Sequence, residues 1–444
     1  MANSGRLSEH FQEKCEAVFR PECDKNKELE HFRVSEKRGN ALGADFIRAL
    51  ACMMVLAHHL VLRIDLDRLS PMLRPVFETA RFGSYGVSLF FVLSGFLLSR
   101  PFWQALDDNA SLPSLRLYAL RRAARILPGF WTALTVGFVL SVTVYGLPLT
   151  GELVLRYVAG FFLMSQWHWR TFFPVQGDGP LWSIPFETTC YLLLPLGFVP
   201  LRRLRAHVSA RTVIRLGWLG VIALALLGHW LIATFVPMDE AGRGWQFGIQ
   251  GGAKEWMPRY NPVGFFAVFS LGVLAAGIST RLPRRTSVAY DLIGLIALAG
   301  IAAALATSTP GKWEGYGWLG IPYRFPILPL AVALALCSLP DSKWLGAALD
   351  NRLTRFIATI SFGIYIWQDI VISGLVYAFP GAFGIGTEAM LSGWLAWSAI
   401  AIAATFAIGT LSYMLIERPV MQWARRLEKR PALRGQALDG TRAA

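Results

Sequence analysis

The feature that most constrains this chain is a series of uncharged apolar runs, each about 20 residues long, recurring from position 44 to position 416. As a helix, a run of that length crosses a hydrocarbon layer roughly 30 Å thick. The chain is 54% hydrophobic and only 16% charged, where soluble domains carry roughly 25% charge. A large soluble core uses apolar residues too, but it does not present them in repeated uncharged blocks. The expected fold class is all-α: a polytopic transmembrane helical bundle.

Eleven runs qualify, at about 44–62, 84–103, 127–147, 152–166, 181–200, 213–237, 262–279, 288–306, 322–339, 355–378 and 390–416. The arginines decide which of them cross, because Lys and Arg collect in cytoplasmic loops. With a cytoplasmic amino terminus and a non-spanning run at 152–166, three clusters fall on the inner side. These are Arg116 to Arg125, Arg202 to Arg215, and Arg281 to Arg285. Lys343, Arg352, Arg355 and the tail from Arg418 join them. The outer loops keep Arg63, Arg68, Arg74, Arg81, Arg243, Lys254 and Arg259, mixed with acids. Were 152–166 a span, the cluster at 202–215 would move outside. That run is also short and carries Glu152 and Arg156. About ten spans are therefore expected, with both termini cytoplasmic. A polar extension (1–43) precedes a membrane domain (44–420), and a basic tail (421–444) follows it.

The net charge of +14 is explained by this inner-side bias, so no nucleic-acid partner is expected. The five cysteines form no CxxC pair, so neither a zinc site nor a disulfide framework is indicated. The head is polar through about position 40, which does not fit a cleaved signal peptide.

Ionisable groups within a span are costly and mark function by default. The first span carries Arg48 near its inner end and His58-His59 near its outer end. Arg48 and His59 stand about 16 Å apart along a helix. A snorkelling arginine and interfacial histidines fit the same pattern. Glu187, two turns into the helix opened by Pro180 to Pro185, is expected at the depth of His59. There a carboxylate can orient an imidazole for general-base work, or pair with a structural arginine instead. Arg122 and Arg125 share a helix face and suit phosphates through forked hydrogen bonds, though topology anchors look alike. Ser94-Gly95-Phe96 reads as a close helix contact. The aromatic stretch 167–182 reads as an interface belt, with stacking on a sugar ring as the alternative.

Taken in order, these residues resemble the acyltransferase-3 family. Arg48 with ten intervening residues before His59 resembles its Arg-x10-His signature. Gly86-Val87 through Gly95-Phe96, Arg121 to Pro128, and Leu181-Trp182-Ser183 through Glu187 are similar to its further blocks. So are Ser361 through Trp367 and Glu417-Arg418-Pro419, and the likeness covers roughly 42–420. The resemblance implies transfer of an acyl group, acetyl by default, from acyl-CoA to a hydroxyl of a carbohydrate or glycolipid acceptor. By that resemblance His59 is the catalytic histidine and Glu187 its acidic partner. Arg48, Arg122 and Arg125 bind the donor, while Trp182, Ser183, Tyr365 and Gln368 are substrate-binding candidates. Two positions depart from the family pattern. Ser88 stands where an Asp is common, and Gln368 stands where a His is common.

No metal and no permanently bound cofactor are expected, acyl-CoA being a substrate. The setting implied is the inner (plasma) membrane of a bacterium. Some members carry a soluble esterase-like domain after the membrane part, and none is expected in the about 25 residues beyond Pro419. A transporter or flippase is the competing class, and a membrane scaffold a third. A carrier would more naturally show paired broken helices in related halves, which this sequence lacks. The topology makes one prediction: a cysteine introduced by Ser209→Cys resists membrane-impermeant thiol labels in intact cells. Ready external labelling there would make 152–166 a true span.

Overall fold

A computed structural model describes residues 43–236, 253, 256–282, 285–309, 315–384 and 390–427. The extension through position 42, Arg243, Lys254, Arg284 and the tail beyond 427 lie outside the described residues.

Among the described residues, nine helices are long and apolar enough to cross a membrane. They are built on α1 (Ala44–Val61), α3 (Gly86–Asp107), α4 (Leu115–Thr143), α6 (Ser183–His207) and α7 (Arg211–Phe235). The others are α8 (Pro262–Ser279), α9 (Val288–Ala306), α12 (Arg352–Ala378) and α13 (Met390–Ser412). The short helices are α2 (Arg74–Arg81), α5 (Gly151–Phe161), α10 (Ile327–Ser338) and α11 (Leu345–Leu349). The run expected to span at 322–339 is α10, an apolar helix too short for the nine, extended by one turn to Asp341. The run at 152–166 is α5, whose 11 residues rise about 16 Å, half of what a crossing needs.

Burial sorts the helices. The spans holding α3, α8 and α12 are mostly buried, whereas α7, α9 and α13 turn apolar side chains such as Leu224, Ile296 and Leu411 outward. Helices that are apolar all round and unevenly buried belong in lipid, where the outer face needs no protein partner. Close approach at the centre depends on small residues. A β-carbon built on Gly95 would lie 2.1 Å from the Phe269 carbonyl oxygen, and one on Gly272 would lie 1.9 Å from that of Val92. Two glycines thus let the α3 and α8 backbones touch reciprocally, as Ser94-Gly95-Phe96 led one to expect.

Two details position the ends. Gly43 adopts a left-handed φ of 88° just ahead of α1, and its amide donates to the Asp350 carboxylate at 3.3 Å. Arg355 donates to the same carboxylate at 2.8 Å, so α1 and α12 begin side by side. Beyond α13 the helical stretch continues to Leu427, and Pro419 supplies no N–H to the Leu415 carbonyl, so the chain forms a π turn at Tyr413–Glu417. Such π turns recur at functional sites.

The segment before α6 corrects one expectation. Thr171–Val175 and Asp178–Phe186 are buried, so Phe172, Phe173 and Trp182 do not form an interface belt. Trp182 instead stacks on Phe172 at 5.2 Å, within a cluster that includes Phe186, Trp256, Tyr260 and Phe265. Buried Arg156 on α5 holds this segment in, donating from Nε to the Phe173 carbonyl at 2.7 Å. Asp178 is fully buried, and neither carboxylate oxygen has a hydrogen-bond partner. Burial first, and the nearby charge of Asp369 second, push its carboxyl well above the ordinary value of 3.8.

Two outcomes follow for stability. Gly272→Ala forces the α3 and α8 backbones apart and should cost about 1–3 kcal/mol, read as a lower Tm in detergent. An unchanged Tm would mean that the contact is looser than described. For Asp178, a raised folded-state titration means its contribution is complete below 3.8 and is lost as pH rises through the folded-state value. Asp178→Asn should therefore gain Tm over the wild type as pH rises, and equal Tm at acidic and alkaline pH would contradict this.

Candidate active site

Two cavities open into the bundle and meet at its middle. The basic cavity, about 840 Å3, lies at the end where α1 and α12 begin and is walled by Arg48, Arg121, Arg122, Arg125 and Arg425 with Asp45 and Glu187. The aromatic cavity, about 530 Å3, lies toward the other end and is lined by His58, His59, Arg63, Asp369, Trp182, Trp256, Tyr260 and Tyr323. Val87 and Tyr365 line both. A single layer of side chains divides them.

Helical spacing explains how the walls arise. Tyr365, Asp369 and Ser373 fall at four-residue steps on α12, and Val55, His58, His59 and Leu62 fall on one face at the end of α1, the spacing that shares a helix face. Arg121, Arg122 and Arg125 sit in the first three turns of α4 and line the basic cavity. Arg48 pairs with Asp45 at 3.0 Å. Arg125 reaches buried Glu417 at 3.4 Å, which ties the π turn beyond α13 to the arginine wall.

The dividing layer is hydrogen-bonded. The Ser183 hydroxyl donates to the Pro180 carbonyl at 3.1 Å, which leaves its oxygen to accept from the Tyr365 phenol at 2.7 Å. On the aromatic side, His59 Nδ1 lies 2.8 Å from the Val55 carbonyl. A carbonyl only accepts, so Nδ1 carries the proton and neutral His59 keeps its lone pair on Nε2. His58 makes the equivalent bond to the Arg81 carbonyl.

The structure separates two residues that the sequence placed together. Glu187 accepts hydrogen bonds from Ser94 at 2.6 Å and from Tyr191, and it faces Arg122 and Arg48 in the basic cavity. It lies on the other side of the dividing layer from His59. Depth was misjudged because the largely buried segment before α6 carries the start of that helix into the bundle, so about one further turn brings Glu187 to the basic side of the dividing layer. The carboxylate that shares the aromatic cavity with His59 is Asp369. Its Oδ2 accepts from the Gly179 amide at 2.8 Å, and its Oδ1 lies 3.5 Å from Arg63.

Of the other candidates, Arg48, Arg122, Arg125 and Ser183 line the basic cavity, Trp182 lines the aromatic one, and Tyr365 lines both. Gln368 lines neither. It is buried and donates to the Tyr365 carbonyl at 3.2 Å, so its place is in the packing of α12. Ser88 is buried with its hydroxyl unpartnered. Asp369 was not singled out in the sequence, although a carboxylate amid the apolar run 355–378 is itself the signal that finds it.

Comparison with known proteins places the chain in a family. The chain is 26% identical over 387 residues to the peptidoglycan O-acetyltransferase OatA of Listeria monocytogenes, covering 85% of this chain and 55% of that protein. It is 26% identical to nodulation protein 10 of Rhizobium leguminosarum bv. viciae, covering 77% and 83%. It is 25% identical to the exopolysaccharide production protein ExoZ of Rhizobium meliloti, covering 80% and 95%. The chain thus spans about half the length of OatA. No solved structure matches it. The acyltransferase-domain model of the acyltransferase-3 family matches residues 42–414, and the chain belongs to that family.

Proposed function

We propose that this protein is a multi-pass membrane O-acyltransferase that moves an acyl group, acetyl by default, from acyl-CoA to a hydroxyl of a carbohydrate-containing acceptor. One observation carries the reading. A cavity walled by arginines and a cavity holding an imidazole with a free Nε2 share Val87 and Tyr365.

The basic cavity suits the donor. Guanidinium groups bind phosphates through paired, charge-assisted hydrogen bonds, and Arg48, Arg122 and Arg125 are spaced around one wall. With the nucleotide there, the extended thioester arm points at Tyr365. The acceptor enters from the aromatic side, where Trp182, Trp256 and Tyr260 line the cavity with the apolar aromatic walls that suit a sugar ring. His59 Nε2 takes the hydroxyl proton as the oxygen attacks the thioester carbonyl. The carbon–sulfur bond breaks, and the same proton goes to the departing thiolate. Glu187 then belongs to the donor side, where it lines the same cavity as Arg48 and Arg122.

The donor's phosphates are cytoplasmic, which orients the basic cavity inward and agrees with the arginine topology. The relatives named for peptidoglycan O-acetylation and exopolysaccharide production support a cell-surface glycan acceptor at a bacterial plasma membrane. His59→Ala should abolish acceptor O-acetylation, measured by mass spectrometry of base-labile acetate, by about a hundredfold or more at normal expression. Arg122→Lys should raise the apparent KM for acetyl-CoA several-fold. Normal acetylation in His59→Ala would overturn the reading.

A further inference from the structure

We infer that Asp369 is the carboxylate that offsets positive charge on His59 during transfer, acting as a positioning residue. The inference rests on the acyl-transfer reading and adds a residue to it.

Four observations carry it. Asp369 and His59 line the same cavity, with Tyr365 one turn from Asp369 on α12. Asp369 is nearly fully buried, yet donors and a cation surround its carboxylate. The Gly179 amide and the Ser373 hydroxyl donate to it, and Arg63 lies 3.5 Å away. Hydrogen bonds and an opposite charge both favour the charged form. The neighbouring carboxylate, Asp178, has neither kind of support, so of these two acids only Asp369 has donors and a cation around it. Finally, Glu187, the acid that the sequence offered, is engaged by Ser94 and Tyr191 on the far side of the Tyr365–Ser183 bond.

The physical need is plain. When His59 accepts the hydroxyl proton it becomes an imidazolium one turn from the Arg63 guanidinium, in the cavity that both line. Like charges at that range oppose the step, and a fixed carboxylate in the same cavity counters them. Asp369 makes no hydrogen bond to His59, so its effect passes through the field and through the placement of Arg63. Such a residue alters the rate of proton uptake rather than donor binding.

The test uses inverted membrane vesicles carrying the full-length protein and their endogenous acceptor, supplied with radiolabelled acetyl-CoA. Base-labile incorporation is followed against donor concentration. Asp369→Asn keeps an oxygen to accept from Gly179 and removes the charge. It should lower apparent kcat about tenfold to a hundredfold, with KM for acetyl-CoA within about twofold, and Asp369→Glu should recover part of the loss. Glu187→Gln should act mainly on KM. If Asp369→Asn does not accumulate in membranes, Asp369→Glu carries the test alone, with kcat lowered and KM unchanged. Wild-type kcat in the charge-removing variant, or a loss confined to KM, overturns the assignment. His59→Ala run beside it separates the two failures. If that variant is inactive while Asp369→Asn is normal, only Asp369 is excluded, and if it is active the acyl-transfer reading falls as well.

Discussion

A charge inside a lipid-spanning bundle has to be paired, hydrogen-bonded or hydrated by a cavity, because hydrocarbon offers it nothing. That constraint organises this protein. Glu187 is held by Ser94 and Tyr191, Asp369 by Gly179 and Arg63, and Glu417 by Arg125. The arginines of α4 open onto a cavity instead of onto lipid. Each arrangement fixes where one helix stands against another. The polar groups therefore act as registration points in a bundle whose apolar surfaces alone would slide.

The same pairings divide the interior in two. Helices α3 and α8 are drawn together by their glycines, which closes the middle of the bundle. Space remains at either end, and the Tyr365–Ser183 hydrogen bond spans what is left between. The division suits a reaction whose two substrates arrive from opposite sides. On the proposed function, a charged nucleotide is matched to the arginines and a glycan acceptor to the aromatic walls. Only the reacting atoms have to meet, and Tyr365 stands where they would.

Much of this was legible in the chain. Run length gave the helices, and the arginine clusters excluded 152–166 as a span, in keeping with the short α5. Arg48, Arg122 and Arg125 do line one cavity. This was readable because residues three apart on a helix share a face whatever the tertiary structure. The pairing of Glu187 with His59 was not readable, because depth was counted from the first helical residue. The count assumed that the segment before α6 stayed at the surface. Arg156 and the aromatic cluster pull that segment inward, a long-range effect with no local signature. Gln368 stands apart from both cavities, because a motif position names a residue, not the direction in which its side chain points.

The central claim is that donor and acceptor sites lie on opposite sides of the Tyr365 layer. It is tested most directly by a structure of the protein in nanodiscs with a non-transferable acyl-CoA analogue bound. The account predicts the diphosphate against Arg48, Arg122 and Arg125, with the acyl end beside Tyr365 and facing His59. An analogue lodged among Trp182, Trp256 and Tyr260, or one whose acyl end points away from Tyr365, would contradict it.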